Sequence, residues 1–323
     1  MSQDIVVVVE HLDNGPADVT FEMLGRAREL AKATGGRVVA VAVGNDLEGV
    51  AGALGAADTV VLCQHPSLAS YTPEAHQRAL AAVLRARTPR VTLVANTAMG
   101  MDLAAGLSGQ LGWPLVAYCR DARLEDGRLR ATSQIYGGKI LAEAEVEAAH
   151  ALLSILAGSF PAEAGRGTGS PAIEEVSPPV AGPARVRFKR LIRPEGGDVD
   201  IAREAVLVSV GRGIQSKDNL PLVEDLAAAL GGALAASRPI VDQGWLPKTR
   251  QVGKSGMTVK PKLYVAVGIS GAPEHLEGMR GAELIVAVNT DRNAPIFNVA
   301  HFGVMSDLFD VLPLLTEKLK AAK

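Results

Sequence analysis

The sequence predicts an α/β protein built from two tandem domains, each formed around a parallel sheet. Short apolar runs alternate with helical patterns in both halves of the chain, which is typical of parallel strands covered on both faces. A stretch rich in Gly and Pro at residues 158–183 separates the two series. The length of 323 residues is long for one hydrophobic core and sufficient for two.

The first half begins with the run DIVVVVE at residues 4–10, which predicts a strand, and a helical pattern from Asp18 to Thr34. The alternation then predicts strands at 35–44, 59–63 and 91–96 and helices at 46–56 and 73–87. From about Pro114, a DG turn and a GG turn separate strand-like runs. We therefore expect an antiparallel meander laid on the parallel core.

The domain boundary is expected after an irregular stretch. Residues 158–183 have no hydrophobic period, so they predict a loop or linker. The run VRFKRLI at 186–192 predicts one more short strand, and RPEGGD breaks the pattern again. We place the boundary near Pro194, which gives an N-terminal domain of residues 1–194 and a C-terminal domain of residues 195–323.

The second half restarts the parallel pattern. It predicts strands at 205–211, 233–238, 262–268 and 283–289, and helices at 220–232, after Pro273 and from Ser306 onward. The helix at 220–232 ends in two glycines, a common helix stop.

Composition excludes several functional classes. The net charge of −2 and the 4% aromatic content do not favour nucleic-acid binding. Cys63 and Cys119 are far apart and form no CxxC motif, which argues against a zinc site and fits a reducing compartment. No signal-peptide pattern is present, and the stretch ALLSILAGSF is too short to cross a bilayer. We expect a soluble cytoplasmic protein without membrane insertion.

Polar residues follow four strands of the predicted C-terminal sheet. In open parallel sheets, ligands bind outside the carboxyl ends of the strands, so residues at these positions share one edge. The residues that follow the four strands are Arg212 and Gly213; Ser237 and Arg238; Ser270, Gly271 and His275; and Asn289 and Asp291. This convergence predicts a ligand site.

Each local signal at this edge also has a structural interpretation. The segment GISGAPEH at 268–275 is typical of a phosphate-binding turn, with Pro273 at the start of a helix, but it also fits a plain strand-to-helix turn. Arg212 and Arg238 favour an anionic or flat ligand, or are surface charges. In the irregular stretch 238–259, Trp245 is either packing or part of the site.

Motifs for acid–base or nucleophilic catalysis are missing from the sequence. It has no GxSxG, no HExxH and no P-loop, because the run GRGTGS lacks the required Lys. The run GRGIQS at 211–216 lacks the third Gly of a dinucleotide-dependent dehydrogenase. The site is therefore expected to hold a cofactor rather than to catalyse acid–base chemistry on a substrate.

The C-terminal motifs resemble the α subunits of the electron transfer flavoprotein family. The residues that carry the resemblance are SRPIVDQGWLP, RQVGKSGMTVKPKLYVAVGISGAPEHLEGM, IVAVNTDRNAPIF and GVMSDL. The similarity is nearly unbroken from about Val208 to Leu319, whereas the N-terminal half is similar mainly in layout.

The resemblance implies an electron carrier rather than an enzyme with its own substrate. A doubly wound, Rossmann-like C-terminal domain would bind FAD, and the N-terminal domain would pack against a β subunit that holds AMP. The heterodimer would accept electrons from flavin dehydrogenases, such as acyl-CoA dehydrogenases, and pass them to a membrane quinone oxidoreductase.

By resemblance, sixteen residues contact FAD, and three of them tune the flavin: Arg238 and His275 as cations near the ring and Ser255 by a hydrogen bond to N5. The full set is Arg212, Ser237, Arg238, Val252, Gly253, Lys254, Ser255, Ser270, Gly271, Ala272, Pro273, Glu274, His275, Asn289, Asp307 and Leu308.

The sequence departs from the family pattern at two neutral glutamines, replaced here by Lys254 and Glu274. An unpaired Glu274 near a pyrophosphate is unfavourable, so we hypothesise that Lys254 offsets it; the alternative is that both side chains point to solvent. Two further alternatives stay open: a bifurcating member of the same family that oxidises NADH, and a non-redox nucleotide-binding module.

Overall fold

The computed structural model describes residues 2–12, 15–179, 186–191 and 199–322. The chain divides into two compact units, residues 1–190 and residues 191–323. The expected boundary residue, Pro194, lies outside the described residues. Each unit has its own sheet and its own hydrophobic clusters. Both units are α/β, as the sequence predicts.

The N-terminal unit is built on a mixed sheet of nine strands among the described residues, in the order β11-β5-β4-β1-β6-β10-β7-β8-β9. A separate short antiparallel pair, β2 (His11–Leu12) and β3 (Gly15–Pro16), follows β1. The nine strands are β1 (Ile5–Val8), β4 (Val38–Gly44), β5 (Thr59–Gln64), β6 (Val91–Ala95), β7 (Leu115–Glu125), β8 (Arg128–Ile135), β9 (Ile140–Val146), β10 (Ala151–Ile155) and β11 (Ala172–Glu175).

In the part of this unit that the structure describes, four α-helices accompany the strands: α1 (Asp18–Thr34), α2 (Glu48–Ala51), α3 (Pro73–Arg87) and α4 (Ala98–Leu111). The predicted bounds of α1 and α3 are confirmed, because their end signals are local. Gly35, with a φ of 70°, ends α1 in the left-handed conformation, and Pro73 begins α3. The helix expected at 46–56 is wrong in length, since only α2 forms there.

The antiparallel meander extends the sheet rather than lying on it. β7 pairs with β8 and β8 with β9 in antiparallel ladders, while β7 pairs with β10 in parallel. β10, which the sequence analysis did not predict, returns to the middle of the sheet and is fully buried. The predicted antiparallel meander is therefore confirmed, but its strands continue the hydrogen-bonding of the parallel core instead of lying on it.

Part of the expected linker at 158–183 is packed structure. A 3₁₀ turn at Ala162–Gly165 packs on α1, and β11 adds a parallel edge strand to β5. Glycine permits the close approach, because a Cβ on Gly165 would lie 1.8 Å from the carbonyl oxygen of Phe21. The strand expected at 186–192 is absent from residues 186–191, and residue 192 lies outside the described part of the chain.

The C-terminal unit is built on a sheet of five parallel strands in the order β13-β12-β14-β15-β16. In chain order this is 2-1-3-4-5, a doubly wound arrangement whose switch point lies between β12 and β14. The elements are β12 (Val206–Val210), α5 (Leu220–Leu230), β13 (Ala233–Ala236), α6 (Arg238–Asp242), β14 (Leu263–Val267), α7 (Pro273–Met279), β15 (Leu284–Val288), β16 (Phe302–Val304) and α8 (Leu308–Ala321). None of the helices described in either unit has the length and apolarity that a membrane crossing requires.

Candidate cofactor site at the carboxyl edge of the C-terminal sheet

The loops after β12 and β14 meet directly at the switch point. Gly211 N donates to Val267 O at 2.8 Å, and Gly213 N donates to Gly268 O at 3.1 Å. A Cβ on Gly213 would lie 2.7 Å from the Cα of Gly268, whose φ is +60°. These glycines are therefore required for contact between two loops of the protein itself. The structural interpretation of the glycines, which the sequence left open beside phosphate binding, is therefore this contact between the two loops.

The loop that follows β14 presents free backbone donors. Gly271 has a φ of +86° and lies against the 3₁₀ turn that begins at Pro295, so that a Cβ would lie 2.3 Å from Ile296 N. Within the described residues, the amides of Ser270, Gly271 and Ala272 donate to no acceptor. α7 has only seven residues, so these amides, rather than a long helix dipole, are what the loop offers an anion.

The irregular segment before β14 folds over the start of α7. Lys254 N donates to Glu274 O at 2.7 Å, and Gly253, with a φ of +130°, lies beside the same carbonyl group. The two unusual residues of the sequence are therefore joined through their backbones. Both side chains are exposed. A pairing of their charges stays a prediction.

Ser255 is held by two side-chain hydrogen bonds in series. Gln251 Nε2 donates to Ser255 Oγ at 2.8 Å, and Lys248 Nζ donates to Gln251 Oε1 at 2.7 Å. Gln251 is 1% exposed, whereas Ser255 is exposed. The hydroxyl group is thus accessible to a ligand while the group that orients it is shielded from water.

His275 is buried, and its ring contacts Tyr264. The Tyr264 hydroxyl lies 2.9 Å from His275 Nε2, and Tyr264 itself is fully buried on β14. Burial lowers the pKa of His275 to about 4, and the backbone of Val252 opposes that shift. Burial therefore favours the neutral imidazole in the ligand-free chain, which weighs against the expected role of His275 as a cation. His275 Nδ1 is buried and has no hydrogen-bond partner among the described residues.

The two arginines predicted at this edge are exposed. Arg238 begins α6, and its Nε donates to Asp242 Oδ2 at 3.1 Å, so part of its charge is neutralised one turn along the helix. Arg212 follows β12 in a short 3₁₀ turn. Ser237, between β13 and α6, is buried, and its hydroxyl does not cap the helix. Arg238 is therefore a salt-bridge partner of Asp242, and its role as a site residue stays a prediction.

Three further predicted residues stabilise the edge itself. Asn289 Nδ2 donates to Ile269 O at 2.9 Å, which ties the end of β15 to the loop after β14. Asp307 accepts a hydrogen bond from Phe309 N at 3.0 Å and so caps α8. Leu308 is buried in the core, and its side chain lies against Gly268. Each of these residues has a structural role independent of any ligand.

Twelve of the sixteen predicted residues follow the carboxyl ends of the five strands, and the other four, residues 252–255, lie in the irregular segment whose Gln251 bridges to Ala236 at the end of β13. The exposed ones are Arg212, Arg238, Lys254, Ser255, Ser270, Ala272, Pro273 and Glu274; Asn289 and Asp307 are half-buried; Ser237, Val252, Gly253, Gly271, His275 and Leu308 are buried. Tyr264 and Gln251 were missed as site residues, because they lie inside a strand and at the edge of an irregular segment. No local sequence signal marks either of them as a partner of His275 or Ser255.

The N-terminal sheet has its own switch point, between β1 and β6, where the order β5-β4-β1-β6 reverses direction. At this switch point, the carboxylate of Glu10 lies beside the start of α4. Thr97 Oγ1 donates to Glu10 Oε2 at 2.6 Å, and the same hydroxyl accepts from Gly100 N at the start of α4. Burial raises the pKa of the Glu10 carboxyl, against the opposing effect of the Thr97 hydrogen bond.

The C-terminal unit is an α/β domain of the doubly wound class with a candidate ligand site at its carboxyl edge. The comparisons give the family. Residues 5–181 match the profile of the electron transfer flavoprotein domain, and residues 200–280 match that of the electron transfer flavoprotein FAD-binding domain.

Full-length relatives agree. The electron transfer flavoprotein subunit alpha of Syntrophomonas wolfei is 37% identical over 97% of this chain and 98% of its own length. Protein FixB of Rhizobium meliloti is 36% identical over 97% and 91%, and the acryloyl-CoA reductase electron transfer subunit beta of Anaerotignum propionicum is 32% identical over 99% and 96%. The chain belongs to the electron transfer flavoprotein family, among its α subunits, and its role is in electron transfer.

Proposed function

We propose that this chain binds FAD at the carboxyl edge of its C-terminal sheet. The observation that carries the proposal is the meeting of glycine loops at the β12–β14 switch point with unpaired donors beside them. The amides of Ser270, Gly271 and Ala272 fit the negative charge of a pyrophosphate.

The predicted site residues would have three different roles toward FAD. The loop 270–272 and Arg212 would hold phosphate, Asp307 and Asn289 would keep the surrounding loops in place, and Arg238, Ser255 and His275 would contact the flavin ring. A bound flavin supplies electron transfer in steps of one or two electrons. His275 would act there as a neutral dipole and Arg238 as the cation, because burial favours the neutral form of the imidazole.

We further propose that the chain works as a heterodimer with a β subunit that holds AMP. The complex would take electrons from flavin dehydrogenases, including acyl-CoA dehydrogenases, and deliver them to a membrane quinone oxidoreductase. The names of two relatives support the electron-transfer role, since one is an electron transfer flavoprotein subunit alpha and another an electron transfer subunit of an acryloyl-CoA reductase.

The direct test is co-expression with a candidate β subunit, followed by a visible spectrum and stepwise reduction. We expect a yellow complex with one FAD per heterodimer that an acyl-CoA dehydrogenase reduces in the presence of its substrate. A colourless complex would contradict FAD binding and would favour a non-redox nucleotide-binding module.

The same preparation separates the bifurcating alternative. A bifurcating complex is reduced by NADH, whereas the carrier proposed above is reduced by the dehydrogenase and not by NADH. Rapid reduction by NADH alone would therefore replace the carrier function with NADH oxidation and leave the FAD site unchanged.

A further inference from the structure

The hydrogen bonds among Lys248, Gln251 and Ser255 have a fixed direction. An ammonium group carries three donors and no acceptor, so Lys248 must face the amide oxygen of Gln251. This assignment places the amide nitrogen toward Ser255, at 2.8 Å from Oγ. The charge at one end of the chain of hydrogen bonds thus decides which atom faces the serine at the other end.

Ser255 is left with a proton to donate. Its oxygen accepts from Gln251, and the hydroxyl has no second hydrogen-bond partner in the part of the chain that the structure describes. A free serine hydroxyl rotates and serves as donor or acceptor according to its neighbour. Here the amide of Gln251 points its own hydrogen at the oxygen, so the serine proton must point away from Gln251.

The scaffold around Gln251 keeps this geometry in place. Met257 N donates to Gln251 O at 2.7 Å, and Gln251 pairs with Ala236 at the end of β13. A Cβ on Gly256 would lie 2.3 Å from Gln251 O, so the loop closes tightly over this residue. The amide of Gln251 is therefore oriented by Lys248 on a backbone that is held at several points.

We propose that Lys248 and Gln251 are positioning residues that make Ser255 a hydrogen-bond donor to the bound ligand, an inference that rests on the proposed FAD site. The hydroxyl group then offers its proton to an acceptor atom of the ligand, for which the resemblance indicates flavin N5. The arrangement selects a flavin with an acceptor at that position over one that carries a C–H group there.

Two flavins that differ at this one position give the test. The heterodimer is stripped of flavin and titrated with FAD and with 5-deaza-FAD, in which a C–H group replaces N5. The net value of one hydrogen bond predicts a dissociation constant about two- to tenfold lower for FAD in the unmodified complex. Ser255→Ala is expected to bring the ratio of the two constants to about 1.

The positioning residues are tested with Ser255 in place. Gln251→Glu has two acceptor oxygens and no donor, so the serine proton turns toward the carboxylate and the ratio falls to about 1. Lys248→Met releases the amide to rotate, and we expect the ratio to fall at least by half. Lys262→Met, at the amino end of β14, removes the same charge from the opposite edge of the sheet and should keep the original ratio.

The outcomes separate FAD binding from the positioning role of Lys248 and Gln251. Failure of the unmodified complex to bind either flavin overturns the proposed function. Equal binding of both flavins by that complex, or an unchanged ratio in Gln251→Glu and Lys248→Met, overturns the positioning role while FAD binding stands. Because each ratio compares two ligands on one variant, general losses of affinity cancel. If Gln251→Glu fails to fold by circular dichroism, Lys248→Met decides the question.

Discussion

Both units have a switch point in a doubly wound sheet, but the residues at the two switch points differ in chemistry. At the N-terminal one, Glu10 occupies the start of α4 through its hydrogen bond to Thr97, so the positive end of the helix faces the protein's own carboxylate. At the C-terminal one, the loops after β12 and β14 contribute glycines and unpaired amides. Doubly wound topology therefore provides an edge for binding, and the residues at that edge decide what binds.

The largest effect that sharpens this contrast is expected from Gly271→Ala. The added Cβ would lie 2.3 Å from the backbone of Ile296 at a φ of +86°, so the loop must move. We expect a loss of about 3 kcal/mol or more in the free energy of unfolding of the C-terminal unit, and loss of FAD binding.

Gly231→Ala is the matched control for Gly271→Ala. Its φ is +68°, but nothing lies within 4 Å of the added Cβ, so backbone strain alone predicts a cost of about 1–2 kcal/mol. The two tryptophans, Trp113 and Trp245, lie in different units. Urea unfolding in a Trp113→Phe background reports the C-terminal unit, and equal losses in the two variants would contradict the close contact.

The next effect is a pH dependence confined to the C-terminal unit. The unfolded chain binds a proton at His275 below about pH 6.5, whereas the folded chain does so only near pH 4. Stability therefore falls as the pH drops from about 6.5 to 4, by up to about 3 kcal/mol for this group. The ligand-free His275→Gln variant should lose that part of the slope in urea unfolding, and an unchanged slope would show that His275 does not titrate in this way.

Glu10→Gln is expected to act in the opposite unit with a smaller effect. Because burial raises the pKa of the carboxyl, the folded unit binds the proton more tightly than the unfolded chain does. Ionisation then costs stability as the pH rises, and a neutral amide avoids that cost while still accepting from Thr97. We expect a gain of about 1 kcal/mol or less at pH 7 that disappears in acid. A loss of stability at pH 7 would mean that the charge itself stabilises α4.

The smallest effect is expected at Arg238. The side chain is exposed and paired with Asp242, so its charge is screened. Arg238→Ala should lower the first reduction potential of the bound flavin by tens of millivolts, because a cation favours the added electron. A redox titration of the heterodimer measures the shift, with Arg280→Ala, an exposed residue at the end of α7, as the control. An unchanged midpoint in Arg238→Ala would remove it from the set of tuning residues.

The sequence predicts the elements whose signals are local. The end of α1 is marked by Gly35 and the start of α3 by Pro73, and four of the five strands of the C-terminal sheet are marked by continuous apolar runs. The short strand β16 was not predicted. β10 and β11 were not predicted, because their positions in the sheet depend on pairing with β6 and β5, which are distant in the chain. Contacts of that kind leave no periodic pattern in the residues themselves.

The site follows the same rule. Residues that follow strands, such as Arg212 and Asn289, could be placed on one edge from the topology alone. The lowered pKa of His275 could not be predicted, because it depends on burial in the folded chain. The contact of His275 with Tyr264 likewise joins residues eleven positions apart. The direction of the hydrogen bonds at Ser255 likewise depends on where Lys248 folds back.

The most direct test of the contrast between the two switch points is hydrogen–deuterium exchange of the heterodimer with and without FAD. We expect FAD to slow exchange in residues 211–213, 251–257 and 268–275, and to leave residues 9–12 and 96–100 unchanged. Protection at Glu10 and Thr97, or none in the three C-terminal segments, would contradict the account.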